Sequence, residues 1–132
     1  MASIFTKIIE GQLPCHKISE NGDFMAFLDI NPIKLGHTLV IPKREIDYVF
    51  DLDDDEFQRI MAFAKSLALP IKKATSCERV CMIVAGYEVP HAHVHLVPTD
   101  NMMDLSFSRA QSSNDEQLGW MANKIRNQLM TG

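Results

Sequence analysis

The stretch His91-Ala92-His93-Val94-His95-Leu96-Val97-Pro98 decides how this chain reads. Side chains leave a β-strand on alternate faces, so strict alternation predicts a strand. Three of the chain's five histidines then share one face, with Ala92, Val94 and Leu96 on the other. The apolar face can enter a core while the imidazole face lines something polar.

Three explanations compete for that row: a metal site, structural histidines and a catalytic row. Strand rise is about 3.3 Å per residue, so the outer two histidines start about 13 Å apart. Zinc needs its nitrogens at about 2.0–2.1 Å from one point, which would require a sharp bulge. A purely structural row needs three sets of buried hydrogen-bond partners. Imidazole, with an ordinary pKa of about 6.5, can act near neutrality as a nucleophile or a proton donor.

The rest of the chain bounds the answer. Its 132 residues suit one domain over 1–132 with a real core. Apolar residues make up 46% and charged residues 23%, the balance of an ordinary globular protein. A net charge of −4 argues against non-specific binding to nucleic acid or an anionic membrane. No apolar run approaches the roughly 20 residues of a membrane span. The start, Met1-Ala2-Ser3, lacks the basic and apolar segments of a signal peptide. Cys15, Cys77 and Cys81 have no paired spacing and suit reduced thiols, so a cytoplasmic location is expected.

Local signals predict an α+β fold: an antiparallel sheet of about five strands with a main helix and terminal helices. Ser3 can cap a short helix bearing Ile4, Phe5, Ile8 and Ile9. Residues 15–20 and 24–28 read as strands around an Asn21-Gly22 hairpin. His37-Thr38-Leu39-Val40-Ile41 is a β-branched strand. Lys43 and Arg44 read as a solvated basic pair. Asp53 and Glu56 are spaced as a capping box for a helix whose Phe57, Ile60, Met61, Ala64, Leu67 and Ile71 recur at helical spacing. Phe57, Met61 and Phe63 are core residues on this pattern. Pro70 predicts a kink or break near Leu69, because proline costs about 3 kcal/mol in a helix interior. Residues 79–84 read as a buried strand and 85–90 as a tight connection. Residues 99–112 show no period and read as loop. Ser113-Asn114-Asp115-Glu116 begins a last helix with Leu118, Met121, Ile125 and Leu129 as its stripe.

The row resembles the His-φ-His-φ-His-φ-φ signature of the histidine triad nucleotide-binding superfamily. Segments 3–9, 26–32 (Ala-Phe-Leu-Asp-Ile-Asn-Pro) and 36–43 (Gly-His-Thr-Leu-Val-Ile-Pro-Lys) resemble that family in matching order. The likeness is to its Hint-like branch. It implies a homodimer that hydrolyses purine nucleotide derivatives (AMP- or GMP-like) at the α-phosphorus through a nucleotidyl-histidine. No cofactor is implied. His93 would be the nucleophile, and His95 and His91 would hold phosphate oxygens and handle protons. His37 would support the row. Ile4, Phe5, Ile8, Phe27 and Ile30 would wall the nucleoside pocket, with backbone contact near Val89. Asp29 would accept both ribose hydroxyls, although Asp before Asn-Pro is otherwise a common turn-former. The transferase branch carries Gln in place of the third histidine, so His95 favours hydrolysis.

Two departures stand out. The 85–90 connection is short, lacks the family's Asn, and has Tyr87 where Gln is usual. Many relatives also hold a structural zinc through positions that here are Ser3, Thr6 and Glu45. Neutral hydroxyls are poor zinc ligands, so no structural metal is expected. Dinucleoside polyphosphate hydrolysis and a non-catalytic nucleotide-binding scaffold are the alternative functions.

Overall fold

A computed structural model describes residues 2–131. Five strands form one antiparallel sheet in the order β1-β2-β3-β5-β4: β1 Lys17–Glu20, β2 Phe24–Leu28, β3 Thr38–Pro42, β4 Arg79–Ile83 and β5 Val94–Thr99. Alternation divides the buried strand residues between two faces. Phe24, Ala26, Leu28, Val40, Ala92, Val94 and Leu96 form one core with helices α2 (Asp54–Thr75) and α3 (Asp115–Thr131). Met25, Phe27, Leu39 and Ile41 face the other way and pack with Phe5 of the short helix α1 (Ile4–Ile9). The second face is covered by less than one full helix, and there the site opens.

Several local expectations are corrected. The Asn21 side chain accepts from the amides of Asp23 (2.9 Å) and Phe24 (2.8 Å), while Gly22 is not among the positive-φ glycines. The hairpin is thus turned by an Asx motif rather than by glycine's left-handed freedom. Asp53 caps α2 by accepting from Glu56 N at 2.7 Å. The Glu56 carboxylate does not return to close the box; it pairs with Arg44 at 2.7 Å, and Lys43 pairs with Glu20 at 2.9 Å. The basic pair is therefore ion-paired.

Helix α2 runs unbroken through Pro70. The carbonyl deprived of its donor belongs to Ser66, which is exposed, so water can satisfy it. Phe57, Met61 and Phe63 pack against the core as half-buried residues. Strand β4 is an edge strand with exposed or half-buried residues rather than a buried one. Strand β5 continues through Pro98 to Thr99. β3 pairing ends at Leu96, so Pro98 interrupts no ladder on that side. Residues 99–112 hold two 3-10 turns, Met102–Asp104 and Phe107–Arg109. Among the described residues, no helix is long and apolar enough to cross a membrane.

Candidate functional site

The three histidines lie at the start of β5 and just ahead of it, on the face carrying α1. All are buried, His91 completely. Their protonation follows from partners whose chemistry is fixed: a carbonyl can only accept and a backbone amide can only donate.

His93 Nδ1 lies 2.7 Å from the His91 carbonyl oxygen and must donate to it. In the neutral ring this leaves Nε2 with its lone pair. The edge of Phe5 packs on His93 with centroids 5.1 Å apart, holding the ring plane.

His95 is set by a longer chain. Ile33 N donates to His37 Nδ1 at 3.1 Å, so His37 carries its proton on Nε2. That nitrogen lies 2.9 Å from His95 Nδ1 and donates to it, leaving His95 with a proton on Nε2. Neighbouring rings thus end in opposite roles, a lone pair on His93 and a donor on His95, with centroids 4.9 Å apart. Burial, then the neighbouring histidines, hold His37 down at about 3. Burial and His93 hold His95 at about 4. Both stay neutral near pH 7. Gly36, at φ +106° with a virtual Cβ only 2.6 Å from Thr75 Cγ2, sets the tight entry to this strand.

His91 differs. Its Nε2 donates to the Pro42 carbonyl at 2.8 Å, and its Nδ1 accepts from Ser3 Oγ at 2.7 Å. With both nitrogens engaged and the ring fully buried, His91 has no atom for a phosphate oxygen, contrary to expectation. Ser3 N and Thr6 Oγ1 both donate to Glu45 Oε1 at 2.6 Å, and Thr6 N donates to Ser3 Oγ at 3.0 Å. Those hydrogen bonds pull the Glu45 carboxyl down to about 2. Ser3, Thr6, Glu45 and His91 therefore meet in a set of hydrogen bonds rather than as a tetrahedral set of soft donors. The residues do not fit zinc.

A cavity of about 400 Å³ opens beside the row. Ile4, Phe5, Ile8, Phe27, Asp29, Ile30 and Val89 all line it, with His93 and His95. His37 and His91 stand behind it. Leu28 and Asn31, beside Asp29, also line it, and so do Leu13, Pro14, Cys15, Leu39 and Glu88, which were not singled out from the sequence. Leu39 could have been, since it alternates with Val40 in the strand beside the row and pairs with His95. Asp29 Oδ1 accepts from Asn31 N at 2.9 Å, a turn-forming bond, and Oδ2 lies 3.7 Å from His37 Nε2. Burial raises the Asp29 pKa above its ordinary value, partly offset by the Asn31 amide.

Asp29, His37 and His95 bring one possible ligand atom each within 4.8 Å of one another. The two imidazole nitrogens are already hydrogen-bonded to each other at 2.9 Å, which makes His37 and His95 a relay, with Asp29 outside it at 3.7 Å from His37 Nε2. A smaller cavity of about 180 Å³ adjoins, lined by residues 85–88, His93, His95 and Phe107. Phe107 lies edge-on to His95 with centroids 5.0 Å apart. It sits in the segment without periodicity, where no pattern could mark it.

Comparison with known proteins places this geometry. A family described as HIT domain matches residues 10–102. A HIT-like protein of Borreliella burgdorferi is 35% identical over 120 residues, 86% of each chain. An adenosine 5'-monophosphoramidase of Schizosaccharomyces pombe is 35% identical over 106 residues, 76% of this chain and 77% of that one. A crystal structure of a Zn-bound histidine triad family protein from Mycobacterium smegmatis superposes with a TM-score of 0.86 at 26% identity, covering 99% of this chain and 95% of that one. The buried histidine row, its relay and these matches together establish that the chain belongs to the HIT family.

Proposed function

We propose that this chain hydrolyses adenosine phosphoramidates or adenylates, or their close purine analogues, at the α-phosphorus. The observation that carries the reading is the pair of opposite tautomers, His93 Nε2 as lone pair beside His95 Nε2 as donor. His93 Nε2 bonds to phosphorus while the bond to the leaving group breaks. The departing electron pair stays on the leaving atom, which takes the His95 Nε2 proton if it is an amine nitrogen. Water then attacks the nucleotidyl-histidine and the P–Nε2 pair returns to His93; the water proton restores His95 where an amine has taken its proton, and passes to solvent where the carboxylate of an adenylate has left. Splitting the displacement lets a positioned imidazole do what water does slowly. The donor on His95 also stabilises charge on the phosphoryl oxygens.

The nucleoside occupies the larger cavity, with Phe27 and Ile30 flanking the base and Asp29 accepting from the ribose hydroxyls. His91 and His37 are positioning residues. The S. pombe relative's name supports a phosphoramidate substrate. A homodimer in the cytoplasm completes the reading. The unpaired edge of β4, with Met82 45% and Val84 39% exposed just beyond it or on it, is the surface such a dimer would cover.

The test is incubation with adenosine phosphoramidate, a lysyl-adenylate and a diadenosine polyphosphate, followed by intact mass spectrometry. Turnover of the first two and a transient protein adduct of one AMP moiety are expected. Nucleotide binding with neither turnover nor adduct would leave a scaffold and overturn the reading.

A further inference from the structure

The two cavities share three lining residues: Glu88, His93 and His95. On the reading above, phosphorus sits where the cavities meet, at the two imidazoles. The nucleoside fills the larger space; of the other cavities that touch His93, the smaller one also reaches His95, so the leaving group lies there.

The charge there is one-sided. No lysine or arginine lines either cavity. Glu88 is the one carboxylate among the residues lining the smaller cavity. Glu88 forms no ion pair among the described residues, whereas Glu20, Glu56, Asp100 and Asp104 each have a basic partner. Phe107, 43% exposed, presents an aromatic wall on the same space and leans on His95. A carboxylate beside an aromatic surface suits an alkylammonium group, whose stem packs on the ring and whose charge meets the acid. A polyphosphate would place further negative charges against Glu88 with no cation to offset them.

We propose that Glu88 is a specificity-determining residue that reads the charge of the leaving group, favouring amines that carry a second, protonated amine and rejecting anionic leaving groups. The inference rests on the hydrolase reading and names its substrate class. Glu88 reaches neither phosphorus nor the attacking nitrogen in this role. It acts through the field at the exit side of the displacement, where a like charge disfavours a wrong partner and an opposite one steers the right one.

The experiment compares three adenosine phosphoramidates whose leaving amines have equal-length chains ending in an ammonium, a neutral amide or a carboxylate. Wild type should show kcat/KM falling in that order, by about two- to fivefold per step for an exposed charge contact at low ionic strength. Salt at about 0.5 M should compress the spread. Glu88→Gln should bring the ammonium-to-amide ratio close to one, and Glu88→Lys should favour the carboxylate. Glu88 is exposed, so neither change disturbs packing. Equal kcat/KM for all three in wild type, or an unchanged ratio in Glu88→Gln, would overturn the inference while hydrolysis stands. No turnover and no nucleotidyl adduct with any of the three would remove the hydrolase reading itself, and this inference with it.

Discussion

The two ends of the histidine row are built from similar parts and reach different outcomes. At the His91 end, a ring is closed on both sides, by the Pro42 carbonyl and by Ser3 Oγ, with Thr6 and Glu45 behind. At the His95 end, a ring is closed on one side only, by His37, and its second nitrogen is left for the cavity. A histidine with both nitrogens engaged can only position its neighbours, whereas one with a single partner has its tautomer fixed and an atom left for chemistry. His93 lies between them and borrows from the closed end, because its own tautomer is set by the His91 carbonyl.

The sharpest way to break that contrast is to compare His93→Ala with His91→Phe. Removing the proposed nucleophile should cost on the order of a thousandfold or more in kcat while leaving AMP binding within a few-fold. His91→Phe should cost about a hundredfold at most, the scale of a misplaced rather than a missing group. Equal losses, measured as single-turnover rates, would mean the closed ring does more than position.

A smaller effect is expected at Asp29, beside the open end. Wild type should bind the ribonucleotide roughly tenfold or more tightly than its 2'-deoxy form, since losing a hydrogen bond to a charged group costs about 1.5–3 kcal/mol. Asp29→Ala should erase the preference in a calorimetric titration. Equal affinities in wild type would reduce Asp29 to the turn it makes with Asn31.

The open end should also be the one that acid attacks. His37 and His95 are held neutral, at about 3 and about 4, while unfolded histidine takes its proton near 6.5. Between those values the unfolded chain binds more protons, so these groups contribute stability that is complete above about pH 6.5 and is lost as pH falls toward 4 and 3. The melting temperature should therefore drop by several degrees between pH 7 and pH 4.5. In His37→Phe, part of that acid sensitivity should disappear; an unchanged profile would refute the relay as its source.

The smallest change is expected at the closed end. Glu45→Gln weakens an acceptor that is exposed, so a slight loss of melting temperature and a modest rise in KM are anticipated, the latter because α1 carries Ile4, Phe5 and Ile8. Protein purified without an affinity tag should contain far less than one zinc per chain, and a chelator should leave its melting curve in place. Near-stoichiometric zinc would show that the hydroxyls and carboxylate do hold metal.

Strand alternation alone placed Ala92, Val94 and Leu96 in the core and the histidines on the opposite face, because period two is a property of the extended backbone. The same kind of local rule located the helix stripes, the Asp53 cap and the strands around Asn21, whereas Asp29 and His37 were marked only by the resemblance to the family's motifs. Local rules failed where a distant partner decided. Glu56 left its capping box because Arg44 was within reach, and α2 tolerated Pro70 because the affected carbonyl faces solvent. Most consequentially, no spacing in the sequence distinguishes His91 from His95. Which ring is closed and which is left open depends on Ser3, 88 residues from His91, and on His37, 58 residues from His95. A tautomer is fixed by whatever atom lies within hydrogen-bonding distance, and only the folded chain brings those atoms together.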